Sequence, residues 1–333
     1  MIPKPKGLIL ASDALFPHFF PEPVLRRLSR RLDWRLCRLR EDSAELREEI
    51  AQADALLTTW HSPYLTPEML GSPPRCRIVA HCGGEIRARM DERIVRDLTV
   101  TNCPYVMAPP VAEMAMAMVL TLVRGLPEYD AAMKGGLLQD NREAREGEIL
   151  GGRTVGLVGF GGIGRAFARL IRPFRVRLLV SDPYSDPGRI RRAGGMPCAL
   201  EDLLSQSSVI VLASALTDET RGMLDARRLA LLPGGACVVN VARGGLVVLE
   251  DLIPLLAAGR IRAALDVTDP LEPLPSDHEL RRLRGVLLTP HVGAGGLEVR
   301  RGMGEAAVAE VIRLLSGRAV KNRVTPAMLA RMT

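Results

Sequence analysis

Aromatic residues are scarce, at 4% of 333. Cores must therefore be built from Leu, Val, Ala and Ile, and a nucleic-acid face with base-stacking rings has little to draw on. Lysine is nearly absent: Lys4, Lys6, Lys134 and Lys321 are the whole set, so the net charge of +7 rests on arginine. The densest basic stretch, Arg26 to Arg40, holds seven arginines with one ring nearby, Trp34, and is followed at once by Glu41, Asp42 and Glu45. This reads as a solvated surface rather than a nucleic-acid site, with a positive field that favours small anions. The six cysteines (37, 76, 82, 103, 198 and 237) form no C-x-x-C pair and no cysteine–histidine cluster with metal spacing. No metal site is expected, and free thiols in a reducing compartment are. The longest apolar run, Val111 to Val123, is interrupted by Glu113 and reads as too short to span a bilayer. The N-terminal apolar run is too short for a signal peptide, so no membrane is expected and the cytoplasm is the default.

What is present is an ordinary globular balance of 47% apolar and 25% charged residues, in a chain long for one core and comfortable for two. Short apolar runs at 7–12, 55–60 and 77–82 read as buried parallel strands, with helices at 24–32 and 43–53 between them. A second series of six strand candidates begins near residue 153: TVGLVGF, RLLVSD, VIVLAS, ACVVNVA, AALDVT and VLLTPH. Repeated strand–helix alternation predicts an α/β protein with doubly wound parallel sheets. A helix from about Pro110 to Lys134 separates the two series. Its apolar atoms lie on most faces, so burial is expected, against another subunit or the core. The charged stretch 139–148 reads as an exposed loop, and a last helix runs over about 297–316.

The strand TVGLVGF runs into Gly159, Phe160, Gly161, Gly162, Ile163 and Gly164, then a helix. This is G-x-G-x-x-G in its required context. Gly159 permits the tight turn, Gly161 lets the backbone approach a pyrophosphate, and Gly164 lets helix and sheet pack closely. The pyrophosphate would sit on the helix N-terminus. Asp182 ends the next strand, where a carboxylate accepts from ribose hydroxyls and repels a 2′-phosphate. NAD is therefore favoured over NADP; the plain alternative is that Asp182 caps a turn with Pro183.

Of five histidines, His291 follows a strand and precedes Val-Gly-Ala-Gly-Gly, which puts it at the sheet edge where open α/β sheets bind ligands. Histidine is the usual proton carrier near neutral pH. His81, before Cys-Gly-Gly, also stands near a candidate site. Arg243 follows the strand ACVVNVA and can grip a carboxylate at two points. Asp266 ends the strand AALD, and Glu272 lies in a proline-bounded segment.

The ordered set Gly159–Gly164, Asp182, Thr217-x-x-Thr220, Val241-Ala242-Arg243-Gly, Leu265-Asp266-Val, Glu272-Pro and Thr289-Pro-His291 resembles the D-isomer-specific 2-hydroxyacid dehydrogenases, continuously over roughly 105–295. The resemblance implies a Rossmann-type NAD-binding domain (106–291) inserted into a flavodoxin-like substrate domain (1–105 plus 292–333), with the active site between them. It implies hydride transfer between NAD(H) and a small D-2-hydroxy acid or 2-oxo acid. Arg243 would hold the substrate carboxylate. His291 would exchange the proton. Glu272, as a buried carboxylate, would orient the imidazole and favour imidazolium. Asp266 would bind the nicotinamide carboxamide, and Thr217, Val241 and Ala242 would line the cofactor. Cys82, Gly83 and Gly84 stand where the family binds the substrate carboxylate on backbone N–H groups, and the long helix would make a homodimer.

Three departures stand out. The family's glycine-rich loop ends in Asp-Asn, whereas here it reads His81-Cys-Gly-Gly-Glu85. Its His-x-Pro becomes Ala213-Ser-Ala215. One extra residue separates Asp266 from Glu272, and Leu271 is the candidate insertion. A relative acting on another small anion, such as formate or phosphite, and a non-catalytic NAD-sensing scaffold of the same fold are the alternatives; the intact Arg243–Glu272–His291 set argues for catalysis.

Overall fold

The computed structural model describes residues 3–136, 148–329 and 332. The charged stretch 139–148, expected to be an exposed loop, lies outside the described residues apart from Glu148. The chain divides into two compact units, Met1–Met107 with Gly295–Thr333, and Ala108–Ala294.

The first unit is built on five parallel strands: β1 (Lys6–Leu10), β2 (Asp33–Cys37), β3 (Ala55–Thr58), β4 (Ile78–His81) and β5 (Thr99–Thr101). Their order, β2-β1-β3-β4-β5, is the flavodoxin-like one. The helices Glu22–Ser29 and Ala44–Ala51 occupy the stretches expected from sequence. The second is started by Ser43, whose hydroxyl accepts from the Leu46 N–H. One face of the sheet packs Ile9, Leu57, Ile78 and Ala80 against Phe19, Phe20 and the helix Leu297–Leu315 through Met303, Ala307, Val308 and Val311. All seven arginines between Arg26 and Arg40 are exposed.

The second unit has seven parallel strands: β6 (Thr154–Val158), β7 (Arg177–Ser181), β8 (Gly195–Pro197), β9 (Val209–Leu212), β10 (Cys237–Asn240), β11 (Arg262–Leu265) and β12 (Val286–Leu288). Their order is β12-β11-β10-β9-β6-β7-β8, which reverses between β6 and β9. An open sheet of this kind binds ligands outside the carboxyl ends of its strands, at the reversal. All six strands expected in this half are present. The sheet is covered on both faces, by Phe167, Ile171 and the long helix on one and by Leu203, Leu229, Leu252 and Leu256 on the other. Each such side chain contributes about 1.5–3 kcal/mol by leaving water.

The long helix differs from expectation at both ends. It starts at Pro104, runs through Pro109 and Pro110, and stops at Arg124. Gly125, at φ 61°, breaks it from the helix Leu126–Lys134. At 21 residues with a mean hydropathy of 1.8, it is long and apolar enough to cross a bilayer, which the shorter run read from the sequence was not. Half of that window is buried, with Val111, Ala112, Ala115, Val119 and Leu122 inside the unit.

Candidate active site

The glycine turn is enforced by its neighbours. Gly159 has φ +93°, and a Cβ there would meet the Ala213 backbone at 2.7 Å. A Cβ on Gly164 would stand 2.2 Å from the Gly159 carbonyl oxygen, so the helix Gly162–Ile171 comes as close to the turn as backbone allows. Gly161 faces open space, with nothing within 4 Å of a Cβ. It is also the helix N-cap and supplies no side-chain acceptor. The first-turn N–H groups therefore keep the partial positive charge of a helix start toward an open cradle, which suits a pyrophosphate. Phe160 is buried, and its N–H is taken by Asp182 Oδ2 at 2.6 Å.

Asp182 does cap a turn, accepting also from the Tyr184 N–H at 2.9 Å. A carboxylate has about four acceptor sites, so two remain for ribose hydroxyls, and the two readings of Asp182 are compatible. Thr217 is held by Thr220, whose Oγ1 accepts from the Thr217 N–H at 2.8 Å and donates to the Ala215 carbonyl at 2.7 Å. Val241 and Ala242 are buried at the end of β10.

Arg243 projects from the loop after β10. A residue passed over in the sequence sets that loop: Asn240, 1% exposed, donates to the Arg243 carbonyl at 2.9 Å and accepts from the Ala242 N–H at 3.1 Å. The only signal for it was a polar side chain closing an apolar strand. The Arg243 Nη1 donates to the Ala242 carbonyl at 2.8 Å. Gly244 brings this loop against the next, because a Cβ on it would lie 2.1 Å from the Thr268 carbonyl carbon.

Asp266 is 2% exposed and holds the loop after β12. It accepts from Thr289 Oγ1 at 2.5 Å, the Val292 N–H at 2.9 Å and the Gly293 N–H at 2.8 Å. Its carbonyl accepts from the His291 N–H at 2.8 Å. His291 is thereby held at φ +53°, a left-handed conformation that a non-glycine residue adopts only when its surroundings over-determine it.

The imidazole Nδ1 stands 3.1 Å from Glu272 Oε1. Leu271 is 47% exposed and its carbonyl accepts from Thr268 Oγ1, so the extra residue is looped out and Glu272 still reaches the ring. One expectation needs correction: the Glu272 carboxylate is not buried. Its side chain is 39% exposed, because the proline-bounded loop lies on the rim of a pocket of about 390 Å³ lined also by Thr268, Leu274, Arg281 and Thr289.

In the other unit, the β4 loop corrects the expectation for Cys82. Its side chain is fully buried, its N–H donates to the Thr58 carbonyl at 2.8 Å, and burial pushes the thiol well above its ordinary pKa. It continues the apolar strand and offers nothing to a ligand. Gly83 and Gly84 are different. Their carbonyls are turned inward, accepting from the Cys103 N–H at 2.8 Å and from Asn102 Nδ2 at 2.6 Å. Their N–H groups meet no acceptor among the described residues, which leaves two free donors of the kind that make an anion nest. His81, beneath them, bonds Thr58 Oγ1 through Nδ1 at 2.9 Å, and burial followed by the Arg89 charge lowers its pKa to about 3. No cluster of His, Cys, Asp and Glu among the described residues has the makings of a metal site.

A parallel sheet that reverses at a glycine turn, with an acidic residue ending the next strand, defines a dinucleotide-binding domain. The family model described as the NAD-binding domain of the D-isomer specific 2-hydroxyacid dehydrogenases matches residues 116–293. The chain is 35% identical over 288 residues to D-3-phosphoglycerate dehydrogenase of Mycobacterium tuberculosis, covering 85% of this chain and 53% of that one. It is 35% identical over 279 residues to glyoxylate reductase of Thermococcus kodakarensis, covering 82% and 83%. The crystal structure of a Thermus thermophilus protein superposes with a TM-score of 0.81 at 31% identity, over 96% of this chain and 100% of that one. The chain belongs to the D-isomer specific 2-hydroxyacid dehydrogenase family. It spans about half the length of the phosphoglycerate dehydrogenases it matches.

Proposed function

We propose that the protein is an NAD-dependent reductase of a small 2-oxo acid, working in reverse on the D-2-hydroxy acid. The observation that carries this reading is the imidazole–carboxylate pair: the His291 Nδ1, 3.1 Å from Glu272 Oε1, leaves Nε2 to exchange a proton with substrate. Bound NADH supplies the hydride to the carbonyl carbon. His291 gives the carbonyl oxygen its proton from Nε2, and Glu272 orients the ring and balances its charge in the protonated form. The Arg243 guanidinium pairs with the substrate carboxylate and polarises the carbonyl. The helix start at Gly161–Gly164 would hold the pyrophosphate, Asp182 the adenosine ribose, and Thr217, Val241, Ala242 and Asp266 would line the cofactor. Asp266 has one acceptor site left on Oδ2 for the carboxamide. In the unit bearing β4, the N–H groups of Gly83 and Gly84 are read as a site for a substrate carboxylate, which makes that unit the substrate domain.

A cytoplasmic setting fits six free cysteines. A homodimer through the segment 110–134 fits an apolar helix that is only half covered within its own chain. The test is loss of NADH absorbance with a panel of 2-oxo acids, glyoxylate included. Turnover of at least one is expected. NADH binding without turnover of any of them would leave a nucleotide-sensing scaffold instead.

A further inference from the structure

Arg300 carries a charge that its surroundings do not neutralise. It lies in the first turn of the helix Leu297–Leu315. Its guanidinium carbon stands 5.8 Å from the centroid of the Trp60 ring, and Nη1 donates to His18 Nδ1 at 3.3 Å. Nε is buried with no acceptor. Nη2 has no protein acceptor, and no carboxylate lies within 4 Å of this side chain among the described residues. A cation taken partly out of water without an anion is costly unless a ligand brings the anion.

Trp60 links this cation to the glycine nest. The indole stands edge-on to Phe19, 5.3 Å between centroids, which fixes its plane. The indole Nε1 lies against Gly83, 3.1 Å from where a Cβ would be. The indole thus touches both the Gly83 turn and the Arg300 guanidinium. The second arginine nearby already has a carboxylate beside it: Arg89 donates to the Trp60 carbonyl at 2.6 Å, and its Nε, which makes no hydrogen bond, has Glu85 at 3.7 Å.

We propose that Trp60 and Arg300 read the far end of the substrate, and that the preferred substrate is a 2-oxo acid with a second carboxylate. This rests on the 2-oxo acid reading given above. A carboxylate held by Gly83 and Gly84 directs a short carbon chain across the indole, where the guanidinium meets the second carboxylate. A planar fork suits a carboxylate at two points. A phosphate, with up to two charges, would call for a second free cation, and Arg89 is taken.

The experiment compares kcat/KM for 2-oxoglutarate and glyoxylate in the wild type, Arg300→Gln and Arg300→Lys. Direct binding is read from quenching of Trp60 fluorescence in a Trp34→Phe background, where Trp60 is the sole indole. The wild type should prefer 2-oxoglutarate. Arg300→Gln should lower the 2-oxoglutarate-to-glyoxylate ratio by about tenfold to a hundredfold, with Arg300→Lys between the two. Quenching by 2-oxoglutarate should be lost in Arg300→Gln. A wild-type preference for glyoxylate, or an equal loss on both acids in Arg300→Gln, overturns the proposal. So does Arg300→Gln that still binds 2-oxoglutarate with wild-type quenching. The quenching signal needs no turnover, so the failure of the dehydrogenase reading and the failure of this one are told apart.

Discussion

At the carboxyl ends of β10, β11 and β12, buried side chains fix the loops that carry Arg243 and His291: Asn240 shapes the Arg243 loop, and Asp266 gathers donors at 289, 292 and 293 around His291. At the carboxyl end of β4 the groups left without a partner are of another kind. There the Asn102 side chain and the Cys103 N–H hold the carbonyls of Gly84 and Gly83, while the N–H groups of these two glycines have no acceptor among the described residues. On the proposed reading, the first edge works with groups that carry charge or move protons, and the second would hold an anion on backbone N–H groups, which keep their partial charge at any pH. Of the titratable groups next to it, His81 and Cys82 are buried, and Glu85 is part-exposed and paired with Arg89.

Substitutions should separate these two edges. Arg243→Gln removes the charge at the first edge and should lower kcat/KM by about a hundredfold to a thousandfold, with NADH affinity within a few-fold, by fluorescence titration. Equal losses in turnover and NADH binding would make Arg243 a cofactor residue. Glu272→Gln keeps the shape and removes the charge opposite the imidazole. A fall of about a hundredfold in kcat is expected, and none at all would mean that the exposed carboxylate is too well screened to matter.

His81 sharpens the contrast at the second edge. Its folded-state pKa of about 3 lies below the ordinary 6.5, so between those values the folded protein binds fewer protons than the unfolded chain. Its contribution is undiminished above pH 6.5 and is lost as pH falls through that window, about 2 kcal/mol by pH 5. Urea titrations of the wild type and His81→Asn at pH 7 and pH 5 should show a smaller acid loss in the variant. Equal losses would mean that His81 takes up a proton without unfolding. The smallest effect is expected at Asp182→Ala, a shift of about tenfold in the NAD-to-NADP preference with about 1–3 kcal/mol of stability lost from two backbone bonds. An unaltered preference would leave Asp182 as a turn cap alone.

Much of the second unit was legible because its strands are continuous apolar runs. The three strands that periodicity missed, β2, β5 and β8, are all at sheet edges. An edge strand is half solvated, so β2 alternates Asp33 and Arg35 with apolar residues, and β8 closes on Pro197, without the signal of a strand buried on both faces. Arg243 and His291 stood out as residue types at strand ends, whereas Glu272, in its proline-bounded loop, was singled out only through the family resemblance. Their supports were not legible, because Asn240 in an apolar strand reads only as an exception. The Trp60–Arg300 contact joins residues far apart in the chain and of unremarked type, and no local pattern announces it. Cys82 was grouped with the glycines by the family resemblance, although the apolar run 77–82 had already placed it in a buried strand, where its N–H is taken by the Thr58 carbonyl.

The most direct test is a stopped-flow record of NADH oxidation with a 2-oxo acid that the wild type turns over, repeated with His291→Ala. A fall in kcat of about a hundredfold or more, with NADH still bound at wild-type affinity, is the expected result. Turnover by the variant at the wild-type rate would contradict the assignment of the proton to residue 291, and with it the role given to the pair that residue forms with Glu272.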